Sequence, residues 1–249
     1  MHNSIFITGG TTGIGLEIAK LYLDEGKRVG LCGRNLEKLP EGVTELYPKL
    51  QTYECDVTDK EKLALAINDF GKEGLDLVLA NAGISVDAKT DIPDFNNGRK
   101  VIEINVLGVL NTFEPAIDIM LKNKSGHIAA VSSVAGFVGL PGASFYCASK
   151  AAVTTLCESY SADLKKYGIA VTCICPGFIR TPLTDKNSHG MPFLMNSDVG
   201  ARKIKRALEN KLKLFIFPWQ TKMLITFLNK IPRFLYRIII ELPFLNYTK

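Results

Sequence analysis

Histidine is nearly missing from this chain: three in 249 residues, at His2, His127 and His189, beside a single tryptophan. Six cysteines, Cys32, Cys55, Cys147, Cys157, Cys173 and Cys175, are scattered without the spacing of a disulfide framework. Cys173 and Cys175 are close neighbours, but they lie in a β-like run and no second ligand pair accompanies them. No metal site is therefore expected, and the thiols read as structural and reduced, as in a cytoplasmic protein. No stretch is dominated by Ser, Gly, Gln or Pro, and no repeat of solenoid period is visible, which argues against disorder and against repeat architectures. A cleaved leader is not expected either, because the first apolar run, Ile5 to Ile7, flows directly into a glycine-rich turn that cleavage would destroy.

What is present is ordinary for a globular chain: 47% apolar and 22% charged residues, in a length that suits one large α/β domain better than two. The net charge of +5 is unevenly placed. From Asp198 onward 11 Lys/Arg face 3 Asp/Glu, so the tail carries +8 and the rest −3.

Short β-branched runs alternate with helical patterns throughout. Strands are expected at Ile5 to Thr8, Arg28 to Cys32, Leu50 to Cys55, Leu75 to Ala80, His127 to Ser132, Ala170 to Cys175 and Leu214 to Phe217. Helices are expected at Leu16 to Leu23, after Asn35, at Asp59 to Phe70, Asn97 to Lys122 and Ser144 to Lys166, and from a Ser197 cap to about Asn210. Seven strands in this order, with right-handed crossovers, make a doubly wound parallel sheet whose ligands belong at its carboxyl edge.

The first strand ends in Thr8-Gly9-Gly10-Thr11-Thr12-Gly13-Ile14-Gly15 and opens a helix whose N-terminal amides can receive a pyrophosphate. A three-glycine turn alone marks many loops; the strand before and the helix after make it a cofactor candidate. Its spacing, Gly9-x-x-x-Gly13-x-Gly15, resembles the fingerprint of the short-chain dehydrogenase/reductase family, a Rossmann-type fold. Nineteen residues beyond Gly15, Arg34 stands near the place where an NAD-selective fold usually carries a carboxylate. Arg34 can clamp a 2′-phosphate, which favours NADP(H) over NAD(H), or it is a solvated surface arginine. Asp56-Val57 and Asn81-Ala82-Gly83 fall at the ends of the third and fourth strands. The resemblance implies that the first pair touches adenine and the second group stabilises the sheet; taken alone, Asp56 also suits a helix cap and Asn81 a turn.

Tyr146 and Lys150 are four residues apart in a helical segment, so they share a face. A neighbouring ammonium favours the phenolate and draws a phenol of pKa near ~10 toward the working range, whereas any isolated Y-x-x-x-K is usually a surface pair. Ser133 lies 13 residues upstream, after an apolar strand, in Val131-Ser132-Ser133-Val134-Ala135-Gly136, which resembles the family's catalytic serine segment. The family offset selects Ser133; Ser132 is expected to serve structure or the pocket wall. Asn105, polar inside a long apolar helix, needs partners: by resemblance it holds a water linking Lys150 to solvent, otherwise it is a satisfied core amide. Cys175-Pro176-Gly177-Phe178-Ile179-Arg180-Thr181 resembles the segment lining the nicotinamide, with Pro176, Gly177, Ile179 and Thr181 as contacts. The resemblance spans Ser4 to Phe217 with no catalytic substitution. It implies hydride transfer between NADP(H) and a carbonyl/alcohol pair, with Asn105, Ser133, Tyr146 and Lys150 as the catalytic set. Sensors or scaffolds of this fold often lack one of the four.

The stretch Leu183 to Asn196, with Gly190-Met191-Pro192-Phe193-Leu194-Met195, is expected to close over the nicotinamide and favour a lipophilic substrate, unless its methionines are core packing. Residues 1–217 read as the cofactor-binding domain and 218–249 as a basic, apolar helical extension. In the extension, Trp219, Met223, Leu224, Phe227, Leu228 and Ile231 have helical spacing, with Lys222, Lys230, Arg233 and Arg237 interspersed. Its apolar runs are too short to span a bilayer, which takes about twenty residues. It either lies on a membrane surface, making the protein peripherally membrane-associated, or packs over the pocket or a subunit interface. The family also implies a homodimer or homotetramer through the two long helices, and no nucleic-acid partner.

Overall fold

The computed structural model describes residues 2–85, 92–185, 187 and 190–240. His189, with Lys186 and Ser188 of the expected closing stretch, and residues 241–249 of the tail lie outside the described residues.

The central strands β1 (Ser4–Thr8), β4 (Leu77–Ala80) and β5 (Gly126–Val131) are largely apolar and buried at every position, as a parallel sheet covered on both faces requires. β2 (Arg28–Gly33) and β6 (Ile169–Pro176) flank them, and β3 (Leu50–Glu54) and β7 (Leu214–Phe217), each partly exposed, form the edges. All pairings are parallel in the order β3-β2-β1-β4-β5-β6-β7. The order reverses direction between β1 and β4, and that switch point opens the crevice at the carboxyl edge where a ligand can enter.

Helices α1 (Gly13–Leu23), α2 (Val43–Leu46), α3 (Lys60–Gly71), α4 (Phe95–Ile102), α5 (Gly108–Asn123), α6 (Ser144–Asp163) and α7 (Ser197–Glu209) connect the strands. On one face of the sheet α3, α5 and α6 bury Phe70, Phe113 and Val153 against β4, β5 and β6. On the other, α1 and α7 bury Ile18, Ala19, Ile204 and Leu208. Two further helices, α8 (Trp219–Lys230) and α9 (Arg233–Ile240), follow β7 with Pro232 breaking the chain between them.

Four local expectations change. The segment after Asn35 is a single 3-10 turn, Leu36–Lys38, followed by the four-residue α2, because Pro40 and Gly42 interrupt any longer helix. The long helix expected from Asn97 begins at Phe95 and contains a π-helical turn, Glu103–Leu107, between α4 and α5. The helix expected to run to Lys166 ends at Asp163, with a 3-10 turn at Lys165–Tyr167. Ser197 is the first residue of α7 rather than its cap; Asn196 holds the cap position with extended backbone.

Candidate active site

The turn after β1 is built for a ligand to approach the backbone. Gly9 and Gly13 have φ of 64° and 61°, the left-handed region that favours glycine. A β-carbon on Gly9 would lie 2.7 Å from the Ala82 backbone, and one on Gly15 2.6 Å from the Asn81 amide. Thr12 stands at the start of α1 with extended backbone and no side-chain capping bond, which leaves the helix's positive end to an anion. Asn81 fixes the turn by donating from Nδ2 to the carbonyls of Thr8 (3.0 Å) and Gly9 (2.9 Å).

A cavity of about 290 Å³ runs from this turn along the carboxyl edge. Gly9, Thr11, Thr12, Gly13 and Ile14 line its floor; Arg34, Asp56 and Val57 line one end; Ala82 and Gly83 lie at mid-length. Ser133, Tyr146, Lys150, Pro176, Gly177, Ile179 and Thr181 line the opposite end. Of the candidate catalytic and cofactor-binding residues, Gly15 and Asn105 are the two off the wall. Gly15 packs beneath Asn81, and Asn105 is wholly buried.

At the first end, Arg34 is largely exposed, with Nε 3.9 Å from Asp56 Oδ2. Asp56 also accepts through Oδ1 from the Thr58 amide and hydroxyl, so it caps a turn and faces Arg34 at once. Lys38 lines the cavity too, returned to it by the 3-10 turn. Sequence reasoning missed it; the four-residue spacing from Arg34 was the only signal. The cradle, the uncapped α1 and two cations at the far end fit a dinucleotide bearing an additional phosphate.

At the second end, Lys150 is buried and donates from Nζ to the Val131 carbonyl at 2.9 Å. Its Nζ sits 5.7 Å from the centroid of the Tyr146 ring. Burial brings the Lys150 pKa down to about 8. Burial also raises Tyr146 above its usual value, while the Ser133 hydroxyl beside it pulls the other way. The direction for Tyr146 is opposite to the depression expected from Lys150, because desolvation of the phenol is the largest effect. Ser132 and Ser133 both line the cavity, and the Ser132 hydroxyl is held by donating to the Lys150 carbonyl at 2.8 Å and meeting Thr154 at 2.8 Å.

Asn105 lies in the π-helical turn, a distortion that often marks functional positions. Its Oδ1 accepts from Ile84 N at 2.8 Å, and its Nδ2 donates to Ile84 O at 2.9 Å and Ser149 Oγ at 3.0 Å. Ser149 in turn donates to the Tyr146 carbonyl at 2.7 Å. These bonds tie Asn105 to α6 and to the segment after β4.

Among its described residues, the expected closing stretch reaches the cavity at its beginning. Pro182, Leu183 and Thr184 line the cavity, and Thr184 braces Thr181 by accepting from Thr181 N at 2.9 Å. Met195 instead bridges to Ile179 and packs toward the core, and Phe193 is half exposed. The apolar lining near Tyr146 comes from Ile84, Ile104 and Leu183, and among the described lining residues Lys150 is the one charged group at that end.

The extension packs beside this end. Ile225 and Tyr236 are buried against Val138, and Tyr236 Oη donates to the Gly139 carbonyl at 2.5 Å. Trp219 and Phe227 remain 65% and 60% exposed, and Met223, Leu224, Phe234, Leu235 and Ile238 also face outward.

The short chain dehydrogenase family matches residues 3–192 of the chain. An uncharacterized oxidoreductase of Myxococcus xanthus is 35% identical over 227 residues, 88% of each chain. One from Mycobacterium tuberculosis is 33% identical over 223 residues, 86% of this chain and 88% of that one. Among solved structures, ElxO with NADP bound superposes with a TM-score of 0.77 at 27% identity, covering 87% of this chain and 97% of the other. A short chain dehydrogenase from Burkholderia cenocepacia in complex with NADP, at 23% identity, shares the fold with a TM-score of 0.84 over 97% of this chain and 98% of that one.

Proposed function

Since the chain belongs to the short-chain dehydrogenase family and is an NAD(P)-dependent oxidoreductase, we propose that it interconverts a lipophilic carbonyl compound and its alcohol, with NADP(H) as cofactor and Tyr146 as general acid and base. The observation that carries this reading is the single cavity with a glycine cradle and cations at one end and Tyr146, Ser133 and Lys150 at the other. NADP is favoured by Arg34 and Lys38 at the far end and by the NADP-bound state of the ElxO structure. A lipophilic substrate is favoured by the apolar wall of Ile84, Ile104 and Leu183.

When bound, the nicotinamide supplies or accepts the hydride. The chain's own groups handle the proton. Tyr146, kept protonated by burial, gives its Oη proton to the carbonyl oxygen during reduction and recovers it from the alcohol in the reverse direction. Ser133 donates a hydrogen bond to the same oxygen and orients it. Lys150 fixes a positive charge beside the ring, held by Val131 O, and is placed to grip the nicotinamide ribose. Asn105 positions α6 through Ser149 and the segment after β4 through Ile84.

The reading is tested by titrating the protein with NADPH and NADH and then assaying a panel of apolar ketones. Wild type should bind NADPH more tightly than NADH; Arg34→Ala should erase that preference; Tyr146→Phe should bind NADPH normally and lose at least about a hundredfold in kcat. Equal affinity for both cofactors, or full turnover by Tyr146→Phe, would overturn it.

We also propose that α8 and α9 lay their outward apolar face on an anionic bilayer that holds the substrate. Residues 218–240 carry four cations and no acidic residue. Among the described residues no ion pair engages Lys222, Lys230 or Arg237. An apolar face ringed by free cations is complementary to acidic headgroups. The protein should float with phosphatidylglycerol vesicles, release as salt rises, and stay behind when Phe227 and Phe234 are replaced by serine. No flotation at low salt would sink the idea.

A further inference from the structure

Cys32 is the next-to-last residue of β2 and Cys55 follows β3, and the two strands are neighbours in the sheet. The Cys55 amide donates to the Gly33 carbonyl at 3.1 Å, which holds the two strand ends in register. Both side chains point to the same face, into the core cluster that also contains Val57 and Phe6. Their sulfurs are 2.7 Å apart, against 3.6 Å between Cys173 and Cys175. A disulfide needs about 2.05 Å between sulfurs, so the pair requires a shift of well under an ångström. Both thiols are free, and both residues contribute to the wall of the cavity beside Arg34 and Asp56.

We propose that Cys32 and Cys55 are an oxidisable dithiol that forms a disulfide under hydroperoxide stress and thereby weakens cofactor binding. The part concerning the cofactor rests on the NADP(H) reading above. Cys55 acts as the attacking residue: the two sulfurs are in hydrogen-bond contact, which draws the Cys55 thiol below its usual value, while the same contact and burial push Cys32 up. The Cys55 thiolate attacks one oxygen of hydrogen peroxide; the O–O bond breaks, hydroxide leaves and takes a proton to become water, and Cys55 becomes a sulfenic acid. Cys32 Sγ then attacks Cys55 Sγ, the S–O bond breaks, and a second water leaves with the Cys32 proton. Two thiols have lost two electrons and one peroxide has gained them. A dithiol such as dithiothreitol reverses the step by exchange.

The consequence follows from position. Arg34 is two residues beyond Cys32 and Asp56 one beyond Cys55, and they face each other across the same gap at 3.9 Å. A covalent bond at the root of both strand ends fixes the separation that a ribose and its phosphate must enter. Conversely, a cofactor seated there covers the route by which peroxide reaches Cys55, so binding and oxidation oppose each other.

The test uses the full-length protein, treated with hydrogen peroxide at neutral pH, desalted, alkylated and mapped by peptide mass spectrometry. The expected result is a crosslink between the peptides carrying Cys32 and Cys55, slowed by saturating NADPH. NADPH affinity should drop about tenfold, roughly 1.4 kcal/mol, and return with dithiothreitol. In Cys32→Ala and Cys55→Ser, verified as folded by circular dichroism, peroxide should leave each variant's own NADPH affinity unchanged. No crosslink, a crosslink confined to Cys157, Cys173 and Cys175, or the Cys32–Cys55 crosslink with unchanged affinity would overturn the proposal. A reduced wild-type protein that binds no NADPH would instead overturn the cofactor reading, while the mapped crosslink would still decide the dithiol.

Discussion

Lys150 sits where the fold works against its charge. Its ammonium is buried, with one carbonyl partner, Val131 O, and its pKa falls from 10.5 to about 8. The folded state therefore releases the proton more readily than the unfolded chain, and holding the charged form at pH 7 costs about 3 kcal/mol. A group retained at that cost suits a function, and its removal should stabilise the protein. Lys150→Met is expected to raise the urea-unfolding free energy by about 1–2 kcal/mol while lowering kcat/KM by two orders of magnitude or more; a less stable variant would mean that the charge is better solvated than its burial implies. The same shift sets a pH profile. Lys150 loses its proton as pH rises through about 8, whereas Tyr146, raised by burial, remains a protonated acid there. Reductive kcat/KM should be level from pH 6 to 7 and fall above about 8. A profile that stays level to pH 9.5 would remove Lys150 from the reaction.

The π-helical turn, α6 and the segment after β4 meet at one amide, that of Asn105. Replacing it by alanine leaves the half-buried N–H and C=O of Ile84 without their side-chain partner and frees the buried Ser149, which should cost about 1–3 kcal/mol of stability. If the amide positions the reacting end, Asn105→Ala should lower kcat at least about tenfold while NADPH affinity and KM stay close to wild type; a uniform loss in all three would mark it as structural only. The turn itself was not legible in the sequence. Ile104, Asn105 and Val106 suit a plain helix, and no periodicity announces the π-helical turn that ends just before Gly108, where α5 approaches Val57 closely. Elements with strong periodicity were legible: the strands, α1, α3 and α6 begin and end within a few residues of expectation. So was the gathering of Gly9, Ser133, Tyr146 and Thr181, since strand ends of a doubly wound sheet converge on one edge. Lys38, Ile84 and Thr184 were not, because their places depend on a 3-10 turn and on irregular connections that no periodicity announces. Met195 takes the core-packing alternative left open for the methionines: an apolar residue in an irregular segment packs wherever the backbone bends, here onto Ile179.

At the scale of the whole molecule, the end of the sheet opposite the cavity holds a pair of buried imidazoles. His127, at the start of β5, meets His2 Nε2 through Nδ1 at 3.0 Å and Thr172 Oγ1 through Nε2 at 2.8 Å, tying the N-terminal segment to β5 and β6. Both rings are buried, and burial, reinforced by Lys211, lowers His2 to about 4; burial, reinforced by His2, lowers His127 to about 3. The unfolded chain binds protons at both from about pH 6.5 downward, while the folded protein resists them. Their contribution is therefore complete above pH 6.5 and is lost as pH falls toward 4, with the unfolded state gaining about 2 kcal/mol per ring by pH 5. Against a domain stability of about 5–15 kcal/mol this is a large share. Since the site lies at the far edge of the sheet, acid should unfold the protein as a unit through this pair rather than through the cofactor cavity. Urea unfolding at pH 7 and pH 5 should show a loss of about 3–4 kcal/mol in the wild type and a clearly smaller loss in the His2→Gln/His127→Gln double variant. Equal losses in the two proteins would assign the acid sensitivity to other groups.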